Sequence, residues 1–469
     1  MNFRWTKHRR YFLMLLFVLI AWLLNSCTNE LIVTSDESVA IKKDNNSHIH
    51  SVKRVGTYAD EVLPGWKAED ATACLQNAIN TGDSVIVVRK MSSKWIVKNI
   101  RLRKPNQEIF FESGVEVKAK RGEFHAQTSP LFNIEAKNVK MIGYGVTLSM
   151  WKEDYMDPSK YEFAEWRHCI RTMGAKNFTI KGFTLKDSGG DGIEVAGDFS
   201  GTSASDWSSG LIEDVVADNN YRQGISILSA KGLVVRNSVF KNTIGTSPQN
   251  GIDIEPWASH HLLQEIFIEG CRFENNAGDD FGYTLYHLTN NPPNEISMTF
   301  QDCITDGAKE FGVLCDVWPE YGPPGGFIKF INFTIKNSKR DGIRIRETDP
   351  SKAELIFENC KIINCGAGEY DWYYYNPIKF NPWGGPKWEG GIIGNVRFDN
   401  CGIIDDKARY AIDFGSNTFS RGGLNNVHGT VVVDNDNSQY LMPSFNERDT
   451  INVTLNAIRG KIEDPTSVR

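Results

Sequence analysis

Three carboxylates near the middle of this 469-residue chain have the type and spacing for acid–base work. Asp253 and Glu255 flank Ile254 in Gly251-Ile252-Asp253-Ile254-Glu255, and Glu194 holds the place of Asp253 in Asp191-Gly192-Ile193-Glu194-Val195. Two residues apart on a strand share a face, with Cα atoms roughly 6.5 to 7 Å apart. Glu194, two strand spacings off, is expected roughly 10 Å from Asp253. Inverting cleavage of a glycosidic bond needs a protonated carboxyl and a carboxylate roughly 6.5 to 9.5 Å apart. Crowded carboxylates also raise one another's pKa, which keeps one of them protonated near neutral pH. The same set could instead ligate calcium, or form an inert acidic patch.

Other polar and aromatic residues surround this set in sequence register. Counting two and four residues past each Gly gives two columns expected to face outward. The first holds Arg171, Glu194, Ser226, Asp253, Thr284, Leu314 and Arg344; the second holds Ala196, Leu228, Glu255, Tyr286, Asp316 and Arg346. Arg171 at one end and Arg344 with Arg346 at the other suit bidentate clamping of carboxylate or sulfate, unless they pair internally, as Arg346 with Asp316. His168, Asp191, Gln223, Asn250 and Asp341 precede the Gly at the bend and read as turn-stabilising hydrogen bonders. His168 and His287 are also candidates to touch substrate, and Trp257 could floor a sugar subsite.

The elements that must hold these residues repeat. Gly followed by alternating apolar residues recurs at Gly192, Gly224, Gly251, Gly312 and Gly342, about 30 residues apart, which marks a repeat architecture. A second strand type alternates with it, as in Phe178-Thr179-Ile180-Lys181-Gly182-Phe183-Thr184-Leu185. Period-two alternation puts Phe178, Ile180, Phe183 and Leu185 inside. Asn at the bends (Asn219, Asn220, Asn275, Asn276, Asn337) tolerates left-handed backbone. Cys271, Cys303, Cys360 and Cys401 share one inward repeat position, predicting a ladder of free thiols rather than disulfides. No CxxC or His-rich spacing suggests a metal. Residues 69–80 have helical apolar spacing and predict a cap over the first coil.

The N-terminus reads as a targeting segment. Lys7, His8, Arg9 and Arg10 precede the apolar run Tyr11 to Leu24, which ends Leu24-Asn25-Ser26-Cys27. This resembles a bacterial lipoprotein signal, with Cys27 lipidated, and implies a lipid anchor in the outer membrane. The expected organisation is a signal peptide over 1–26 and a polar tether over 27–52. A repeat domain over 53–455 and a tail over 456–469 follow. An aromatic loop over 370–391 interrupts the domain with Trp372, Tyr373, Tyr374, Tyr375, Phe380, Trp383 and Trp388. A net charge of -6 and the lack of a basic stripe argue against nucleic acid.

The pattern over about residues 55 to 440 resembles the right-handed parallel β-helix superfamily, the pectate-lyase-like and polygalacturonase-like proteins. The resemblance rests on Asp70-Ala71-Thr72-Ala73-Cys74-Leu75-Gln76-Asn77-Ala78-Ile79, Ile142-Gly143-Tyr144-Gly145, Glu165-Trp166-Arg167-His168, Ser188-Gly189-Gly190-Asp191-Gly192-Ile193, Tyr221-Arg222-Gln223-Gly224-Ile225-Ser226-Ile227 and Gly251-Ile252-Asp253-Ile254-Glu255-Pro256. Several of these look like an exported bacterial branch tied to polysaccharide use. The resemblance implies an all-β right-handed parallel β-helix solenoid with a short N-terminal capping helix. Asp279-Asp280 matches one of the three polygalacturonase motifs; Asn-Thr-Asp and Gly-His-Gly are absent, as is the Asp-Pro-His-Glu of alginate epimerases. The expected activity is inverting hydrolysis of an acidic polysaccharide without a cofactor. The alternatives are a lyase on a uronate polymer, with calcium and with Arg344 or Arg346 as base, and a surface glycan-binding protein.

Overall fold

Alternating aliphatic residues after each Gly need an interior, and stacking the repeats supplies one. The structure is a computed structural model that describes residues 55–198, 206–288, 295–317, 324–349, 351–368, 375–381, 393–414, 423–438, 441–443 and 450–462. Its paired strands are parallel and fall in two sheets, one of 22 strands and one of 11 among the described residues. The 11-stranded sheet stacks Ile100–Leu102, Phe132–Ile134, Ile170–Met173, Ile193–Ala196, Ile225–Ile227, Ile252–Ile254, Phe281–Thr284, Val313–Asp316, Ile343–Glu347, Ile378–Phe380 and Ile412–Asp413 in chain order. This is a parallel β-helix, one such strand per coil.

Inward positions are closed to solvent throughout: Ile193, Val195, Ile225, Ile227, Ile252, Ile254, Phe281, Tyr283, Val313, Cys315, Ile343 and Ile345 form one core. The predicted thiol ladder is present, with Cys271, Cys303, Cys360 and Cys401 free and buried, and the Cys271 N–H donating to Cys303 Sγ at 3.4 Å. The predicted cap is helix α1, Thr72–Asn80, which buries Cys74, Leu75, Ala78 and Ile79. At the C-terminal end, the strand Thr450–Arg459 pairs along Leu424–Asp434, so strand structure continues past residue 455. Bend asparagines adopt positive φ, among them Asn177, Asn219, Asn275 and Asn337, and link coil to coil through their side chains. No helix among the described residues is long and apolar enough to cross a membrane. Cys27, the signal and tether segments, and most of the 370–391 loop lie outside the described residues.

Candidate functional site

The outer face of the 11-stranded sheet carries the column that contains the carboxylates. Strand register runs Arg101, Asn133, Arg171, Glu194, Ser226, Asp253, Gly282, Leu314, Arg344, Lys379, Asp413. This corrects the expected columns at two coils. Asp316 pairs with Glu347 rather than Arg346 across a register shift. Phe281 pairs with Ile252, so Gly282, not Thr284, stands opposite Asp253, and Thr284 rather than Tyr286 stands opposite Asp316. That coil has Asp280 where its neighbour has Gly251, so counting from Gly282 slipped the register by two.

A second correction concerns exposure. The column faces outward but is not open to water: Glu194 and Asp253 are each 4% exposed, and Arg171, Asp316 and Arg344 are also buried. The side chains lie against one another as ion pairs instead of extending into solvent. Part of the wall comes from residues 151–168. Arg167 bridges Gly189, and a Cβ on Gly190 would meet the Glu165 carbonyl at 2.6 Å, so this close approach requires glycine.

His168 was expected to titrate beside an open groove; it is fully buried and belongs to the bend ladder. Its Nδ1 accepts the Asp191 N–H at 2.9 Å, which leaves the proton on Nε2, 3.4 Å from Glu194 Oε1. The same ladder continues as Gln223 Oε1 accepting from Asn250 N–H at 2.7 Å and Asn250 Oδ1 from Asp279 N–H at 2.8 Å. Asp279 Oδ1 accepts from Phe311 N–H at 2.9 Å and Asp341 Oδ1 from Asn376 N–H at 2.7 Å. The expected turn-stabilising role of this column is therefore observed.

Environment divides the carboxylates. Arg171 Nε lies 2.5 Å from Glu194 Oε2. Burial alone would raise the Glu194 pKa, but the neighbouring His168 and Arg171 outweigh it and hold the group at about 2. Asp253 is the opposite case. Burial and the charge of Glu255 push its carboxyl well above the usual range, against the pull of Arg222. Gln223 Nε2 donates to Asp253 Oδ2 at 2.8 Å. Glu255, with 40% of its side chain exposed, receives Arg222 at 3.3 Å. Asp191 is raised by burial and accepts from Ser226 Oγ at 2.7 Å. Asp279, one coil on, is pushed up to about 7 by burial.

Arg222 is the residue that spacing missed. It is mostly buried and reaches both Glu165, at 3.5 Å, and Glu255 across the face that holds Asp191 and Asp253. The only sequence signal for it was a cation just before the bend ahead of the acidic coil. Beyond Asp253 the column loses its side chain at Gly282, where a Cβ would meet Asn250 Nδ2 at 3.0 Å and Asp279 Oδ2 at 3.6 Å. At the N-terminal end, Asn99, Arg101, Thr128, Ser129, Pro130, Asn133, Arg171 and Met173 line a hollow of about 240 Å³.

The remaining expected residues form two separate groups. Arg346 pairs with Asp316 at 3.3 Å, and Arg344 pairs with Asp341 while stacking over Phe311 at 4.5 Å. Each guanidinium is thus seated on a carboxylate of the stack. Trp257, Tyr286 and His287 lie on loops after the strands. Trp257 is 46% exposed with its ring edge-on to His261 at 5.1 Å, and Tyr286 packs on His287 at 4.2 Å.

A family model described as "Right handed beta helix region" matches residues 144–320. No curated protein matches the sequence. Among solved structures, the Azotobacter vinelandii mannuronan C-5 epimerase AlgE4 A-module is similar at 12% identity and a TM-score of 0.52, over 82% of this chain and 96% of that one. The AlgE6 A-module of the same organism is similar at 11% identity and a TM-score of 0.53, over 87% and 100%. The Yersinia enterocolitica family 28 exopolygalacturonase is similar at 10% identity and a TM-score of 0.52, over 86% and 78%. At these identities the likeness is one of fold. The stacked parallel strands, the matched region and the structural likeness together show a right-handed parallel β-helix fold.

Proposed function

We propose that the protein is a carbohydrate-active enzyme that cleaves a polysaccharide lying along the outer face of the 11-stranded sheet, by inverting hydrolysis. One observation carries the reading: Asp253, a buried carboxyl whose pKa burial and Glu255 push well above the usual range, sits two residues from the partly exposed Glu255. Asp253 is suited to donate its proton to the leaving glycosidic oxygen, and Glu255 to take one from the attacking water. Glu255 directly follows the strand Ile252–Ile254 that carries Asp253. Glu194, ionised and clamped by Arg171, is assigned to positioning rather than proton transfer. The fold likeness supports the substrate class, since the similar structures are named as a mannuronan epimerase and a polygalacturonase.

An acidic glycan fits the cations along the column, Arg101 and Arg171 on either side of Asn133 toward one end and Arg344 beside Lys379 toward the other. Trp257 offers an exposed ring to a sugar face. The proposal places the enzyme on the outer membrane through lipid on Cys27, supported by the basic, apolar and Leu-Asn-Ser-Cys order of the N-terminus.

The test is turnover of acidic and neutral glycans by the intact protein, with and without a chelator. New reducing ends without ultraviolet-absorbing products are expected. Asp253→Asn and Glu255→Gln should each lower kcat by about 10²- to 10⁴-fold, the usual worth of general acid–base catalysis. An absorbing, unsaturated uronate would make the enzyme a lyase. Unchanged turnover in the double variant would place the chemistry elsewhere.

A further inference from the structure

Two groups of metal-ligating side chains converge among the described residues. His168, Asp191 and Glu194 form one, already filled by its own backbone and Arg171 contacts. The other lies outside the carboxylate column, on the loops after the strands, and has no role in the chemistry above. Asp206, His260 and His261 each bring a ligand atom within 4.8 Å of the other two.

The geometry points to a binding site for a divalent transition ion of the zinc type on Asp206, His260 and His261, which clamps the loop that carries Trp257. His260 Nε2 and Asp206 Oδ2 stand 3.5 Å apart. Two ligands on a tetrahedral zinc, with bonds of about 2.0 to 2.2 Å, stand roughly 3.3 to 3.6 Å apart. Asp206 is buried, and its Oδ1 accepts no hydrogen bond. A buried carboxylate with a bare oxygen is costly unless a cation completes it. His261 is buried too, and a ligating imidazole binds through a neutral ring nitrogen. His261 also hydrogen-bonds the Leu228 backbone, the outer contact that orients a ligating imidazole. Two imidazoles and a carboxylate suit zinc better than calcium, which prefers oxygen.

The fold explains how the three meet. Asp206 precedes the strand Ser208–Glu213, and His261 precedes Leu263–Glu269, two coils further along. The coil between them contributes only Ser229 there, which donates to the Asp206 carbonyl at 2.7 Å and accepts the Leu262 N–H at 3.1 Å. The small serine lets the longer side chains on either side close over it. An ion there ties the two outer coils together across the serine and fixes residues 255–262, with Trp257 against the His261 ring.

The experiment uses the intact chain stripped with a chelator and titrated with Zn²⁺, then with Co²⁺. One site is expected, with micromolar or tighter affinity, a rise in Tm on Zn²⁺ addition, and the intense visible bands of tetrahedral Co²⁺. His260→Ala, at a partly exposed position that the fold tolerates, should weaken Zn²⁺ binding at least tenfold and abolish the Co²⁺ bands. His261→Gln should do the same if it folds. Binding no tighter than millimolar in the wild type, or equal binding by wild type and His260→Ala, would overturn the site.

Discussion

At the scale of single residues, what separates Glu194 from Asp253 is company rather than chemistry. Both are carboxylates on one column and both are buried. Burial raises the pKa of each, but His168 and Arg171 pull Glu194 down to about 2, whereas Glu255 adds to the rise at Asp253. Arg222 tunes the second of these, because its positive charge favours the Asp253 carboxylate. Removing that charge in Arg222→Gln raises the Asp253 pKa, so the acid keeps its proton to higher pH. The alkaline limb of the kcat/KM profile should then move toward higher pH. A limb that stays in place, or moves the other way, would mean that Asp253 is not the group titrating there.

At the scale of the coil, bends rather than strands set the register. Each strand of the site sheet is only a few residues long, so its pairing depends on the turns beside it. Asn275 is representative. Its φ of 55° is left-handed, its Nδ2 donates to Asn242 Oδ1 at 2.8 Å, and Lys309 Nζ donates to its Oδ1 at 2.7 Å. A β-branched residue there meets its own carbonyl and loses both hydrogen bonds. Asn275→Val is expected to cost about 2 to 3 kcal/mol in urea unfolding. Asn275→Gly, which keeps the conformation without strain, should cost about 1 kcal/mol. Equal losses in the two variants would show that the side-chain ladder, not the backbone conformation, holds the bend.

For the whole molecule, a solenoid has one core but two ends, and each end would leave apolar side chains uncovered. Helix α1 covers the first coil through Leu75 and Ile79, both fully buried. Leu75→Asp should therefore do more than a local core mutation. It exposes a strand edge as well as an apolar surface, and aggregation is expected before unfolding. Light scattering during a thermal ramp checks this, with Leu75→Met, which conserves volume, behaving like wild type. Little scattering from the Asp variant would mean that the first coil does not need the helix to stay soluble.

Alternation of period two, the repeated Gly, the bend asparagines and the inward cysteines determined the fold from sequence alone, because each is a local rule that every coil repeats. Those rules put Glu194 and Asp253 on one face, where the structure has them. They could not supply the burial of that face, the register at Gly282, the crossing of Arg222, or the meeting of Asp206 with His260 and His261. These depend on how side chains from different coils lean on one another, and on loops whose paths no repeat dictates. The protonation state of a carboxylate follows from such contacts across the stack, so it was decided only when the chain had closed on itself.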